Sequence, residues 1–195
     1  MVESGTLQRQ LPAHDCKFRG VILLKELSSY IYEIAYNCLV LSASELAIEI
    51  DEEPTNDLLT IIISNNVNWQ STYNPSHKPS IGIPLLRQVC DICGGRLTTA
   101  HSEAGSKLTA IMQYKHMDRP PMGSVPCLIQ DLIFSNPNID ISYTHRYDGR
   151  EYQLSTSKII SMFDDVPLDT PSVMQWVKED IGEGLTGILQ MGESS

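Results

Sequence analysis

The chain is poor in charge, and above all in positive charge. Only 19% of its 195 residues are Asp, Glu, Lys or Arg, and 24 acidic against 14 basic residues give a formal net charge of −10. A surface of this sign repels phosphate backbones and anionic lipid headgroups. The composition therefore disfavours both a nucleic-acid partner and a membrane surface.

Several kinds of segment are also missing. No run of 18 apolar residues is present that could form a membrane span, and residues 1–16 lack the basic start and apolar stretch of a secretory signal. The five cysteines are odd in number and irregularly spaced, which fits free thiols in a reducing compartment better than a disulfide framework. We therefore expect a cytoplasmic protein. The phosphate-binding P-loop and the nucleophile elbow of serine hydrolases are absent as well.

The hydrophobic pattern that is present predicts an α/β protein. Apolar residues at spacings of three and four predict a helix over 21–43, and alternation predicts a half-buried strand over 45–51. The β-branched run LLTIIIS at 58–64 is typical of a central strand. A second amphipathic helix is predicted over 83–93, ended by Gly94-Gly95.

Turn residues divide the rest of the chain. Hairpins are predicted around Ala104-Gly105 and Asp148-Gly149. Between them, the Pro- and Gly-rich stretch DRPPMGSVP acts as a connector, and three more helices are predicted beyond it. The sequence thus predicts an N-terminal arm, a main domain and a C-terminal α/β extension, at 1–20, 21–116 and 117–195.

Four short motifs follow one another between residues 27 and 115. They are Glu33-Ile-Ala-Tyr-Asn37, the strand end Ser64-Asn65-Asn66-Val67-Asn68, the stretch 78–86 (KPSIGIPLL) around Gly82, and Gly94-Gly95 followed by SEAGSK around Gly105. Taken together and in this order, they resemble the nucleotide-binding motifs of the histidine-kinase-like ATPases, the superfamily of gyrase, ninety-kilodalton heat-shock chaperones, MutL and histidine kinases. Residues 116–177 resemble the extension of a small group of stand-alone bacterial ATP-binding proteins.

The resemblance implies a fold and a set of site residues. The fold would be a two-layer α/β sandwich, with a mixed sheet covered on one face by the helices near 23–43 and 83–93. Glu33 would position or deprotonate an attacking water, and Asn37 would bind the Mg²⁺ of bound ATP. Ser80 and Gly82 would lie in the loop whose amides hold phosphates at a helix N-terminus. Without the other motifs, Glu33 and Asn37 would be read as a polar pair on an exposed helix face.

The adenine end departs from the family pattern. Where the family has Asp-x-Gly-x-Gly, residues 64–69 contain neither a carboxylate nor a glycine. Asn65 aligns best with the missing Asp, with Ser64 as the other possible alignment. Gly105 matches the family's later glycine-rich motif, whose next glycine is Lys107 here. The resemblance therefore predicts weak or absent adenine-nucleotide binding.

Three functions remain open. The first is a degenerate ATP site, a pseudo-ATPase acting as a regulatory or protein-interaction module through a protein partner or a homodimer. The second is a working Mg-dependent ATP-binding protein, either an ATPase or an anti-sigma-type serine kinase. The third is a metal or redox accessory protein using Cys90 and Cys93, although two thiols fill only half of a tetrahedral site, which favours buried thiols. For the first function, the candidate contact surfaces are the loop 69–80 with exposed Trp69 and Tyr73 and the C-terminal helix with Trp176. The loop ranks first, because Trp176, at helical spacing from Val173 and Ile181, is more simply explained as core.

A set of polar residues near the junction with the extension has two readings. His116, Asp118, Arg119, His145 and Arg146 could form a structural ion-pair network or a catalytic or anion-binding site. The structural network is the preferred reading.

Overall fold

The computed structural model describes residues 25–69, 81–164 and 166–190. The predicted arm at 1–20 and most of the predicted loop 69–80 therefore lie outside the described residues. The helix predicted over 21–43 begins at Leu27, after Glu26 in an extended conformation, and ends at Val40. The elements in chain order are α1 (Leu27–Val40), β1 (Glu45–Glu53), a 3-10 turn (Pro54–Asn56), β2 (Leu58–Asn65), α2 (Gly82–Ile92), β3 (Arg96–Ser102), β4 (Gly105–Gln113), α3 (Val125–Ser135), β5 (Asp140–Tyr147), β6 (Arg150–Ser155), α4 (Thr156–Phe163) and α5 (Pro171–Gln190).

The strands form one mixed sheet with the order β3-β4-β2-β1-β5-β6. All neighbouring strands are antiparallel except β1 and β5, which run parallel with Leu46 opposite Ile141. β2 lies inside the sheet, as the β-branched run predicted. The strands of the predicted C-terminal extension continue the sheet of the main domain and do not form a sheet of their own.

The sheet has one buried face and one partly exposed face. Alternate residues of β1 and β2 are fully buried, and the residues between them are half-buried or exposed. On the buried face, α1 packs against β1 and β2, α2 against β3 and β4, and α5 against β5 and β6. This arrangement is the two-layer α/β sandwich that the sequence predicted. None of the helices in the described part of the chain is long and apolar enough to cross a membrane.

Of the cysteines that the structure describes, three are free and fully or almost fully buried: Cys38, Cys90 and Cys93. Cys127 is disulfide-bonded, which corrects the expectation that every cysteine is a free thiol. Cys90 in α2 and Cys93, the residue directly after that helix, both belong to the apolar core. Within the described ranges, no group of three or more His, Cys, Asp or Glu side chains is placed to hold a metal ion.

The three buried thiols are expected to be unreactive in the native protein. Burial raises the pKa of Cys38 and that of Cys90 to about 12. At pH 8 only on the order of one molecule in ten thousand would then carry the thiolate that reacts with alkylating reagents. We expect mass spectrometry after brief iodoacetamide treatment to find Cys38, Cys90 and Cys93 unmodified in folded protein and modified in guanidinium. Alkylation of Cys90 within minutes in the folded protein would contradict this.

His145 belongs to a buried hydrogen-bonded row. Its Nε2 lies 2.7 Å from Glu52 Oε1, and its Nδ1 lies 2.6 Å from the Tyr143 hydroxyl. When Glu52 is ionised and His145 neutral, Nε2–H donates to the carboxylate and Nδ1 accepts from the phenol. The row therefore ties β1 to β5 through a side chain that is 3% exposed. His116 and Asp118, by contrast, approach only to 4.0 Å.

Two arginines of the same set make structural contacts. Arg146 bridges the carboxylates of Glu49 and Glu151, with N–O distances of 3.1 and 2.6 Å, on the partly exposed face of the sheet. The guanidinium of Arg119 lies over the Tyr114 ring, 4.7 Å from its centroid. These contacts fit the structural reading of the set, since each joins neighbouring segments of the fold.

Candidate functional site

Glu33 links the two helices that carry the candidate site. Its Oε2 accepts a hydrogen bond of 2.8 Å from the backbone amide of Gly82, the first residue of α2. Its Oε1 accepts one of 2.9 Å from Asn37 Nδ2, so the two residues share a helix face as their spacing predicted. The N-cap residue of α2, Ile81, forms no side-chain capping hydrogen bond. Glu33 therefore places a carboxylate at a helix N-terminus, where free amides and the helix dipole favour an anion.

Gly82 permits the close approach between α1 and α2. A Cβ atom built on Gly82 would lie 2.0 Å from Glu33 Oε2 and 3.0 Å from Ile34 Cγ1. Any side chain here would displace the carboxylate from the amide that it caps. The glycine that resembles a phosphate-loop residue thus serves in this structure to admit Glu33.

Asn65 ends β2 and turns into the protein, with 8% of its surface exposed. Its Nδ2 donates to the sulfur of Cys38 at 3.3 Å, and its Oδ1 accepts from the amide of Val67 at 2.8 Å. Both ends of the carboxamide therefore already have partners within the chain.

Trp69 is directed inward, which corrects the expectation that it is exposed. Its backbone amide donates to Ser106 Oγ at 3.0 Å, and its ring lies 5.5 Å from that of His101 at a tilt of 59°. His101 Nδ1 in turn lies 2.9 Å from the same Ser106 hydroxyl. The indole packs against the core, and its N–H is buried without a hydrogen bond of normal geometry.

Cys38 lies beside both Asn65 and the Trp69 side chain. Burial raises the pKa of its thiol to about 12, and the neighbouring Asn65 and Trp69 side chains act in the opposite direction. The indole N–H is thus close enough to interact with the sulfur, although it does not form a normal hydrogen bond. The thiol itself donates to the carbonyl of Ile34 at 3.2 Å.

Gly105 brings β4 against the end of β2. Its φ of +138° lies in a region that favours glycine, and a Cβ there would be 2.0 Å from the carbonyl oxygen of Asn65. The register that follows pairs Asn65 with Ser106. Gly105 therefore permits the pairing that places Ser106, whose hydroxyl accepts from the Trp69 amide, opposite Asn65.

Not every candidate from the sequence can be placed. Glu33, Asn37 and Gly82 form one group, while Asn65 and Gly105 belong to a second group around Trp69. Ser80 and Tyr73 lie outside the described residues. The sequence did not identify Cys38, His101 and Ser106 as site residues, because their roles depend on pairing between distant strands and helices. Only for Cys38 did the sequence offer a signal, since it directly follows Asn37, a predicted site residue.

Comparisons with known proteins give a likeness of fold. No protein-family model matches the sequence, and no curated protein matches it. The chain resembles the ATPase domain of Aquifex aeolicus MutL complexed with ADP, with 13% identity and a TM-score of 0.40, over 82% of this chain and 70% of that one. It also resembles the N-terminal domain of a DNA repair protein, with 15% identity and a TM-score of 0.48, over 72% of this chain and 57% of that one. At these identities, and with both TM-scores below 0.5, the matches carry no argument about family, ligand or activity.

Proposed function

We propose that this chain is a histidine-kinase-like ATPase-fold protein with a degenerate ATP site, working as a regulatory or protein-interaction module. The main support is the hydrogen bond of 2.8 Å from the Gly82 amide to Glu33 Oε2. A bound phosphate would need this amide and its neighbours at the start of α2. It would have to displace the carboxylate, and the two negative charges would then repel each other at close range.

The adenine position supports the same proposal, and the metal position is neutral. Asn37 Nδ2 donates to Glu33, a contact that does not engage the side-chain oxygen that Mg²⁺ would use, so the metal position favours neither reading. At the position where the family binds adenine, the Asn65 side chain already accepts from the Val67 amide and donates to the Cys38 sulfur. This arrangement does not fit bound Mg-ATP without rearrangement, and we derive no catalytic step from it.

A protein partner or a second copy of the chain is supported by exposed apolar side chains. Tyr36 and Ile81 are 48% and 60% exposed, and Val40 and Leu85 are also exposed. Tyr36 and Val40 follow Glu33 by three and seven residues on α1, so they share its side of the helix. Ile81 directly precedes Gly82, and Leu85 follows it by three residues in the first turn of α2. Exposed apolar groups that lie together are typical of interaction surfaces, and the charge of −10 favours a protein over a nucleic acid.

Calorimetric titration with ATP and Mg²⁺ tests the proposal. An adenine amino group buried without a partner costs roughly 1–3 kcal/mol, or about ten- to a hundredfold in affinity. We therefore expect a dissociation constant for ATP with Mg²⁺ above roughly 100 μM. Glu33→Gln is the matched variant, because it keeps the shape and removes the charge, and it is expected to bind phosphate-bearing ligands more tightly than wild type. Micromolar affinity for ATP in the wild-type protein would refute the degenerate site.

The alternative is a functional ATP-binding protein, as an ATPase or an anti-sigma-type serine kinase. Its support is the retained Glu33 and Asn37 pair on one helix face. Under this alternative, wild-type protein would bind ATP with micromolar affinity, and Asn37→Ala would abolish the dependence of binding on Mg²⁺. Nothing in the contacts of Cys90 or Cys93 favours the metal or redox function over these two.

A further inference from the structure

Strand β3 forms one edge of the sheet, because within the described residues it pairs with β4 alone. In an antiparallel pair, successive residues direct their backbone N–H and C=O groups alternately toward the partner strand and away from it. The Leu97 carbonyl accepts from Arg87 Nη1 of α2 at 2.6 Å, which indicates that it lies on the side away from β4. Thr99 and His101 follow at spacings of two, so their backbone groups are directed to the same free side.

This edge lacks the features by which proteins usually prevent edge strands from pairing. Such strands commonly carry a proline, a charge or a bulge. Between Arg96 and Ser102, β3 has no proline and no Asp, Glu, Lys or Arg, and its register with β4 is continuous. Three successive residues, Thr98, Thr99 and Ala100, are exposed. The free backbone groups of β3 are therefore accessible to an added strand.

The charges at the two ends of β3 favour a second copy of the same strand as the partner. Arg96 begins the strand, and Glu103 directly follows its last residue; both are exposed. Antiparallel pairing of two β3 strands about a twofold axis at Thr99 places Arg96 opposite Ser102 of the second copy. Glu103 of that copy then lies next to Arg96, and the symmetry repeats this attraction at the other end. Parallel pairing would bring like charges together instead.

We propose that β3 is the docking edge for a second copy of this chain, and that antiparallel pairing of the two β3 strands continues the sheet across a dimer. Leu97, Thr99 and His101 of each copy exchange backbone hydrogen bonds with the other copy, and the two Thr99 side chains form a favourable cross-strand pair. A single strand edge buries little surface, so the dimer is reversible, with a dissociation constant on the order of 10–100 μM.

The dimer deepens the proposed function by naming the partner and the strand that contacts it. It rests on that function only in assigning an interaction role to the chain. It uses neither the nucleotide motifs nor the exposed apolar side chains of α1 and α2.

Sedimentation velocity of the full chain, from about 5 to about 500 μM, tests the dimer. Thr99→Pro removes the N–H at the twofold axis, and proline is tolerated on a strand edge where the N–H faces solvent. Both copies lose a hydrogen bond, so we expect dimerisation at least about tenfold weaker than in wild type. Thr99→Ala keeps the N–H and is the matched control, expected to stay within about threefold of wild type.

A wild-type protein that stays monomeric at about 500 μM would overturn the proposal. So would a folded Thr99→Pro that dimerises as wild type does. A dimer that Tyr36→Ser disrupts and Thr99→Pro leaves intact would also count against it, because the interface would then lie on α1.

Charge reversal tests the same register without changing the backbone. Arg96→Glu places two carboxylates side by side at both ends of the paired strands, so we expect at least about threefold weaker dimerisation at low salt. Adding Glu103→Arg restores the attraction with the signs exchanged and is expected to recover the wild-type affinity. A double variant that dimerises no better than Arg96→Glu would contradict the antiparallel register.

The dimer and the degenerate nucleotide site fail in different measurements. Micromolar ATP binding by the wild-type protein refutes the degenerate site and leaves the sedimentation result unchanged. Loss of the β3 dimer leaves the nucleotide titration unchanged.

Discussion

Replacing Gly105 with alanine is expected to lower the free energy of unfolding by at least about 3 kcal/mol, from overpacking together with backbone strain. The added Cβ would lie 2.0 Å from the carbonyl oxygen of Asn65, and φ at this residue is +138°. The obstacle is backbone at the paired end of β2, so it cannot swing aside as a flexible side chain could. Urea unfolding followed by circular dichroism gives the measurement.

Two other glycines separate the causes of this effect. Gly149 also has a positive φ, +81°, but nothing lies within 4 Å of its built Cβ. Gly149→Ala should therefore carry only the backbone strain, about 1 kcal/mol. Gly182, in α5 with open space around it, should tolerate alanine or gain about 0.5–1 kcal/mol from helix propensity. Equal losses at Gly105 and Gly149 would show that the close approach of β4 to β2 is not what requires glycine.

Replacing His145 with alanine is expected to cost about 3 kcal/mol of unfolding free energy, because it leaves a buried carboxylate without its main partner. Glu52 is 9% exposed, and its Oε1 lies 2.7 Å from His145 Nε2. The Tyr143 hydroxyl would lose its partner as well. The same change also removes an imidazole from the core, so the measured loss includes a cavity.

The neighbouring arginine is the matched control. Arg146 lies on the other face of the same strand and bridges Glu49 and Glu151, all three being about a third exposed. Exposed pairs of this kind contribute at most about 1 kcal/mol, so Arg146→Ala should be mild. A double-mutant cycle of His145→Ala with Glu52→Gln isolates the coupling between the two buried groups. A coupling energy near zero would mean that the buried row does not tie β1 to β5.

Tyrosine burial in the same region bears on the alkaline limit of stability. Burial raises the pKa of Tyr114 to about 12, with Glu52 acting in the same direction, and burial raises that of Tyr143 well above its ordinary value. A phenol whose pKa is higher in the folded than in the unfolded state stabilises the fold fully below pH 10. This contribution is lost as the pH rises above 10, when the unfolded chain releases its protons first.

The sequence by itself determined the elements, because their signals are local. The β-branched run at 58–64, the three-and-four spacing around Glu33 and Asn37, and the turn residues at Gly94-Gly95 act over a few neighbouring residues. Such signals depend on periodicity and on backbone conformations that few residue types adopt. For that reason the strands and helices of the described ranges lie close to where the pattern predicted them.

Only the tertiary structure decided how those elements meet. The partner of Glu33 is an amide 49 residues away, and the partners of Trp69 lie 32 and 37 residues further along the chain. No local pattern could show that Trp69 is directed inward, since a tryptophan after a polar turn is equally compatible with an exposed loop. The pairing of β5 with β1 likewise depends on which sheet edge is free when the chain returns, and that is settled by long-range packing.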